Sequence, residues 1–79
     1  MQYKHEDLVS VKILINSYQK INIYLNVVSL IETDIFMVSG HNCINGKSIM
    51  SILNLDILKP VTVYNIPASF VEGLRRLEI

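Results

Sequence analysis

Between Val9 and Ile15 the chain reads VSVKILI, in which Val9, Val11, Ile13 and Ile15 alternate with Ser10, Lys12 and Leu14. Successive side chains of a strand point to opposite faces, so period-two alternation of β-branched residues predicts a half-buried strand. Such a strand dictates what must follow it: partners along its edges and a cover for its apolar face. With 79 residues the chain is one domain, 1–79, and its single cysteine, Cys43, leaves no internal disulfide to help. Apolar packing must hold the fold together, and 51% of the residues are hydrophobic.

The cover comes next in sequence. In INSYQKINIYLNVVSLIETD the polar positions Gln19, Asn22, Asn26 and Ser29 recur at offsets of three, seven and ten, which line one face of a helix. Ile21, Leu25 and Val28 lie opposite, with Tyr24 and Ile31 at the margins and Ser17 as N-cap. The β-branched residues weaken intrinsic helicity, so packing has to stabilise this helix. DIFMV (Asp34 to Val38) reads as a second strand, Ser39-Gly40 as a turn and His41 to Asn45 as the returning strand of a hairpin. A short helix, roughly Ile49 to Asn54, follows with Ser48 at its cap. Lys59-Pro60 breaks the chain, and Val61 to Tyr64 forms a last strand with Val61 and Val63 on one face. Pro67 sits near the first turn of a closing helix whose apolar positions are Phe70, Val71, Leu74 and Leu77.

The expected fold is α+β in the order β-α-β-β-α-β-α, an open-faced sandwich with a four-stranded antiparallel sheet covered on one face by three helices. Mean hydropathy is +0.38, yet polar residues interrupt every apolar run before it reaches spanning length. No membrane partner is expected, and one apolar surface patch is. Seven basic and seven acidic residues cancel, and Arg75-Arg76 is the longest basic cluster, so no stripe for nucleic acid forms. The N-terminal MQYKHEDL lacks a signal-peptide pattern, and one cysteine suits a reducing compartment; a cytoplasmic location is the expectation.

The element order together with DIF…NGKSIM resembles the bacterial phosphocarrier protein HPr of the sugar phosphotransferase system. That family carries an Asn, a small residue and then Lys-Ser-Ile-Met before its second helix. Here the text is Asn45-Gly46-Lys47-Ser48-Ile49-Met50-Ser51-Ile52-Leu53, and the pattern lies over Asp34 to Leu55 without a gap. The family's other signature, Gly-(Leu or Ile)-His-Ala-Arg-Pro at the first helix, is missing. Ser17 falls where the phosphocarrier histidine would be and Gln19 where the arginine would be. The loop after the short helix and the last helix are also shorter than the family's.

Relay between proteins needs a phosphoramidate on an imidazole nitrogen. A serine ester at Ser17 would be too stable to pass on, and Gln19 and Lys20 do not reproduce arginine's fork on a phosphate. The resemblance therefore implies a protein-binding regulatory module of the sugar phosphotransferase system or of carbon catabolite control, with no enzymatic activity and no cofactor. One alternative is a divergent phosphocarrier that uses another residue, for which only His41 is available. Another is a structural or subunit-contact module sharing only the fold.

Ser48 is an N-cap on its own chemistry, worth ~1 kcal/mol. In Gram-positive relatives the matching serine is phosphorylated by HPr kinase/phosphorylase, and the phosphoprotein binds a catabolite control regulator. The resemblance thus makes Ser48 the candidate regulatory phosphorylation site and these proteins the candidate partners. Ile49, Met50, Ile52 and Leu53 span too wide an arc for one buried helix face, so Lys47, Ile49, Met50 and Leu53 form the expected partner-binding patch. His41 and Cys43 share one face of the expected hairpin strand, but two ligands do not make a metal site. His5 reads as a solvated terminal residue, and Glu6, Asp7, Glu32 and Asp34 form no acid–base pair. Arg75 and Arg76 suit the C-terminal end of the last helix. Oligomeric state is not legible.

Overall fold

The computed structural model describes residues 7–79; the readings of His5 and Glu6 lie outside them. β1 (Leu8–Ile13) realises the opening alternation, with Val11 and Ile13 buried and Ser10 and Lys12 exposed. It ends at Ile13, which is paired with Val61; the next partner would be Pro60, which has no N–H to donate. Ile15 is fully buried although it lies beyond the strand. The adjoining Leu14 N–H donates to the Leu77 carbonyl (2.9 Å), Ile79 N–H donates to the Lys12 carbonyl (3.3 Å), and Ile13 bridges Glu78. The C-terminal residues thereby cover this end of β1's free edge.

α1 (Tyr18–Val28) starts where the sequence places its cap: Ser17 is extended, and its Oγ accepts from the Lys20 N–H at 3.2 Å. Its buried stripe is Ile21, Tyr24 and Val28, not Ile21, Leu25 and Val28. Tyr24 is the centre of the face because its hydroxyl has a buried acceptor to reach, while Leu25 is half-buried beside it.

β2 (Phe36–Ser39) begins two residues later than expected. The Asp34 carbonyl accepts from the Asn65 side chain (3.2 Å), which ties the approach to the strand. β3 (Asn42–Asn45) returns after the two-residue loop Gly40-His41, with Ser39 opposite Asn42. Gly40 has φ +59°, the left-handed value that glycine adopts without strain at the first position of a type II′ turn. His41 therefore belongs to the turn and does not share a strand face with Cys43.

α2 (Ile49–Leu53) leads to β4 (Val61–Pro67), which runs three residues past the expected Tyr64. A bulge allows this. Between the pairs Val11–Val63 and Val9–Ile66, β4 carries one residue more than β1, and Asn65 takes φ +70° there. Asn65 is pinned by its bond to Asp34 and by the Thr33 hydroxyl, which donates to its carbonyl at 3.1 Å. The extra residue returns Ile66 to the buried side, and Pro67 ends the strand instead of opening a helix. The closing segment is a 3-10 turn (Ala68–Phe70), α3 (Val71–Leu74) and a second 3-10 turn (Arg75–Leu77), with Leu74 and Leu77 buried.

The described residues thus form an α+β fold, an open antiparallel sheet in the order β1-β4-β2-β3 with three α-helices. Val11, Ile13, Met37, Val61, Val63 and Ile66 point inward and share one core with Ile21 and Tyr24 of α1, Ile52 of α2 and Leu74 of α3. The opposite side chains are open, among them Phe36 and Tyr64, cross-strand partners that stay 42% and 43% exposed. Among the described residues no polar or charged side chain is buried in the core except through Tyr24, and no helix is long and apolar enough to cross a membrane.

Candidate functional site around the second helix

The segment Asn45–Leu53 is built from its backbone outward. The Gly46 N–H donates to the Ile35 carbonyl at 2.7 Å, extending the β2–β3 ladder by one rung. The Asn45 side chain then turns the chain: its Oδ1 accepts from the Lys47 N–H (2.9 Å), while its carbonyl accepts from the Ser48 N–H (3.1 Å). At Gly46 the turn meets α1, where the Tyr24 hydroxyl donates to the Gly46 carbonyl at 2.7 Å in a buried bond. Burial pushes the Tyr24 phenol's pKa well above its ordinary value, because ionisation would strand a charge in the core.

A side chain at position 46 has no room. An ideal Cβ there would lie 2.6 Å from Ile35 Cγ2 and 2.8 Å from the Tyr24 hydroxyl oxygen. The small residue between Asn45 and Lys47 is thus required by packing. The sequence gives the glycine but not the reason, since Tyr24 is 22 positions away.

Lys47 is half-buried, and its ammonium donates to the Ile31 carbonyl just past the end of α1. There it complements the helix's negative end. Its charge is directed at the protein, not displayed beside Ile49 and Met50.

Ser48 is extended and caps α2, its Oγ accepting from the Ser51 N–H at 3.3 Å. The residue is half-buried, so the hydroxyl is held but not sealed. Only Ile52 of α2 enters the core, at 0% exposure. Ile49, Met50 and Leu53 remain 44%, 71% and 40% exposed, making an apolar surface that starts one residue after the capping hydroxyl. On α2's other flank, against β3, lies an open depression of about 240 Å³ lined by Asn42, Cys43, Ile44, Ser51, Asn54 and Leu55.

The remaining candidates do not converge on this segment. Ser17 is exposed, and its hydroxyl bonds within its own helix. His41 and Cys43 are both exposed, one in the turn and one on β3. Among the described residues no three His, Cys, Asp or Glu side chains gather as metal ligands would. Arg75 does not reach the free carbonyls of the last helix: its guanidinium turns back to Glu72, with Nη2 at 3.0 Å and Nε at 3.1 Å from the two carboxylate oxygens. That hydrogen bond, and then the Glu72 charge, raise the Arg75 pKa.

The geometry defines a small α+β module with a capped helix displaying apolar side chains. No family model, curated protein or solved structure matches the chain.

Proposed function

We propose that this chain is an HPr-like protein-binding module of sugar-transport or carbon control, without the phosphocarrier histidine, read by its partner through α2 and regulated by phosphorylation of Ser48. The observation that carries the reading is the placement of the Ser48 hydroxyl, half-buried at the start of α2 and directly before exposed Ile49, Met50 and Leu53. A phosphate there adds roughly −1.5 to −2 charge beside apolar side chains that a partner would cover. The turn that presents Ser48 is held by Gly46, Tyr24 and Lys47, so the change in charge is read without unfolding. At the first helix, Ser17 and Gln19 supply neither an imidazole nucleophile nor an arginine, so the family's usual phosphoryl relay has no groups to run on there.

Incubation with an HPr kinase/phosphorylase, Mg²⁺ and ATP tests the switch, with an authentic HPr labelled in parallel and the site mapped by mass spectrometry. Phosphate on Ser48 supports it; an unlabelled chain beside a labelled HPr removes it. A second reading, a subunit-contact module that shares only the fold, draws on the open sheet face, where Phe36 and Tyr64 pair across β2 and β4. It requires a stable assembly that Phe36→Ser dissolves in sedimentation analysis and that Met50→Asp leaves intact.

A further inference from the structure

Of the seven asparagines, Asn45 alone is followed by glycine. A following glycine exposes the backbone nitrogen that closes a five-membered imide with the asparagine side chain, because no Cβ shields it. In the reaction the Gly46 amide loses its proton to solvent base and its nitrogen attacks Asn45 Cγ. A C–N bond forms, and the side-chain amide leaves as ammonia. Water then opens the imide at either carbonyl, leaving an aspartyl residue or a β-linked isoaspartyl residue at position 45.

The fold sets itself against each step. The Gly46 N–H is committed to the Ile35 carbonyl at 2.7 Å, and an ionised nitrogen there would face that oxygen's lone pairs. The electrophilic side chain is held as well, by the Lys47 N–H on Asn45 Oδ1 at 2.9 Å. The far side of Gly46 is fixed by the Tyr24 hydroxyl at 2.7 Å. Ring closure must first free the Gly46 nitrogen from the Ile35 carbonyl, although Asn45 itself is exposed and water is at hand.

We propose that Asn45-Gly46 is a latent self-modification site, silent while the turn between β3 and α2 is closed and released when it opens, with a β-linked product that cannot rebuild the turn. The two products differ for a geometric reason. An aspartyl residue keeps an oxygen for the Lys47 N–H and leaves the backbone length unchanged. An isoaspartyl residue adds a methylene to the main chain directly before Gly46 and so displaces Gly46, which is packed so closely that a Cβ added to it would lie 2.6 Å from Ile35 and 2.8 Å from Tyr24. Opening of the turn is thereby recorded as a permanent loss of the segment that carries Ser48 and α2.

The test follows the whole chain at mildly alkaline pH, with and without urea sufficient to abolish its circular dichroism signal. Peptide mapping by mass spectrometry, with an isoaspartate-specific methyltransferase label, reads the products. Conversion at Asn45 is expected to be at least about tenfold slower in the folded chain, because it must wait for opening. Tyr24→Phe, where it remains folded, converts at an intermediate rate. After urea removal, aspartyl chains refold and isoaspartyl chains do not. Equal rates with and without urea, or an Asn45 that stays intact in urea, overturn the proposal. Isoaspartyl chains that refold as cooperatively as unreacted protein overturn its second half.

Discussion

Gly46→Ala isolates the packing of the α2 turn, because the backbone itself does not forbid it. Among the described residues Gly40 is the glycine with positive φ, so alanine at 46 meets only a steric problem. The new Cβ would sit 2.6 Å from Ile35 Cγ2 and 2.8 Å from the Tyr24 hydroxyl, well inside van der Waals contact, and both neighbours are buried to within 1%. Overpacking of this kind costs about 1–3 kcal/mol. If Tyr24 yields, the Gly46 carbonyl loses its buried donor for a further ~1–3 kcal/mol. Alanine offsets only about 0.4–1 kcal/mol through the unfolded chain's entropy.

The net expectation is a loss of about 2–4 kcal/mol, against a total of roughly 4–12 kcal/mol for a domain of this length. Urea unfolding by circular dichroism reads it as a lower midpoint at unchanged slope. Gly40→Ala is the matched control: nothing lies within 4 Å of its added Cβ, and its cost of about 1–2 kcal/mol comes from φ +59° alone. Combining Gly46→Ala with Tyr24→Phe removes the clash with the hydroxyl, so the pair should cost less than the sum of the singles. A Gly46→Ala variant within about 0.5 kcal/mol of wild type, or one less damaging than Gly40→Ala, refutes the packing argument.

Three further outcomes follow from the same geometry. Ser48→Ala should lower stability by ~1 kcal/mol in urea titration, whereas Ser48→Asp, which keeps an acceptor for the Ser51 N–H, should lie within a few tenths of ~0. Tyr24→Phe should cost about 1–3 kcal/mol and also change the alkaline limb. In wild type the buried phenol's pKa is raised, so its contribution to stability is constant below about pH 10; above it the unfolded chain ionises first, and that contribution falls by up to ~1.4 kcal/mol per pH unit. That fall should be shallower in Tyr24→Phe, as measured by urea midpoints between neutral and strongly alkaline pH. On α2, Ile52→Ala should cost about 2–5 kcal/mol and Met50→Ala less than about 0.5, since one side chain is sealed in the core and the other is 71% exposed.

Local chemistry was legible at the two helix caps, where the partner lies three positions on, although the equally local Arg75–Glu72 pair was not. Ser17 and Ser48 each cap a helix through an N–H three residues on, and both follow from the residue type and the apolar periodicity after it. The inward set Val11, Ile13, Val61 and Val63 follows from alternation alone. Long-range partners decided the rest. Tyr24 sits three residues after Ile21 and four before Val28, spacing that already suits a core stripe, but only the Gly46 carbonyl makes its hydroxyl tolerable there. The bulge at Asn65 depends on Asp34 and Thr33, more than 30 residues upstream, and it switches the inward parity so that Ile66 follows Val63. In the closing segment the spacing Phe70, Val71, Leu74 and Leu77 reads as one helix, because offsets of three serve 3-10 and α geometry alike.

What Ser48 contributes and what holds it in place are separable. The turn is anchored by the Gly46 rung on Ile35, the Tyr24 bond to Gly46 and the Lys47 bond to Ile31, and none of these passes through the Ser48 hydroxyl. Losing the cap costs ~1 kcal/mol, while losing the Tyr24 anchor costs up to about three times as much. Under the proposed function this difference is what lets the hydroxyl change chemically while α2 stays presented. It also makes the anchors, not the serine, the point at which the module fails. Lys47→Met separates the two: it removes the bond to Ile31 and should lower stability by about 1 kcal/mol or more, yet leave Ser48 as good a kinase substrate as in the parent chain. If Lys47→Met instead abolishes phosphorylation of a chain that circular dichroism shows to be folded, the ammonium is part of what the kinase reads, and its inward bond is not its role.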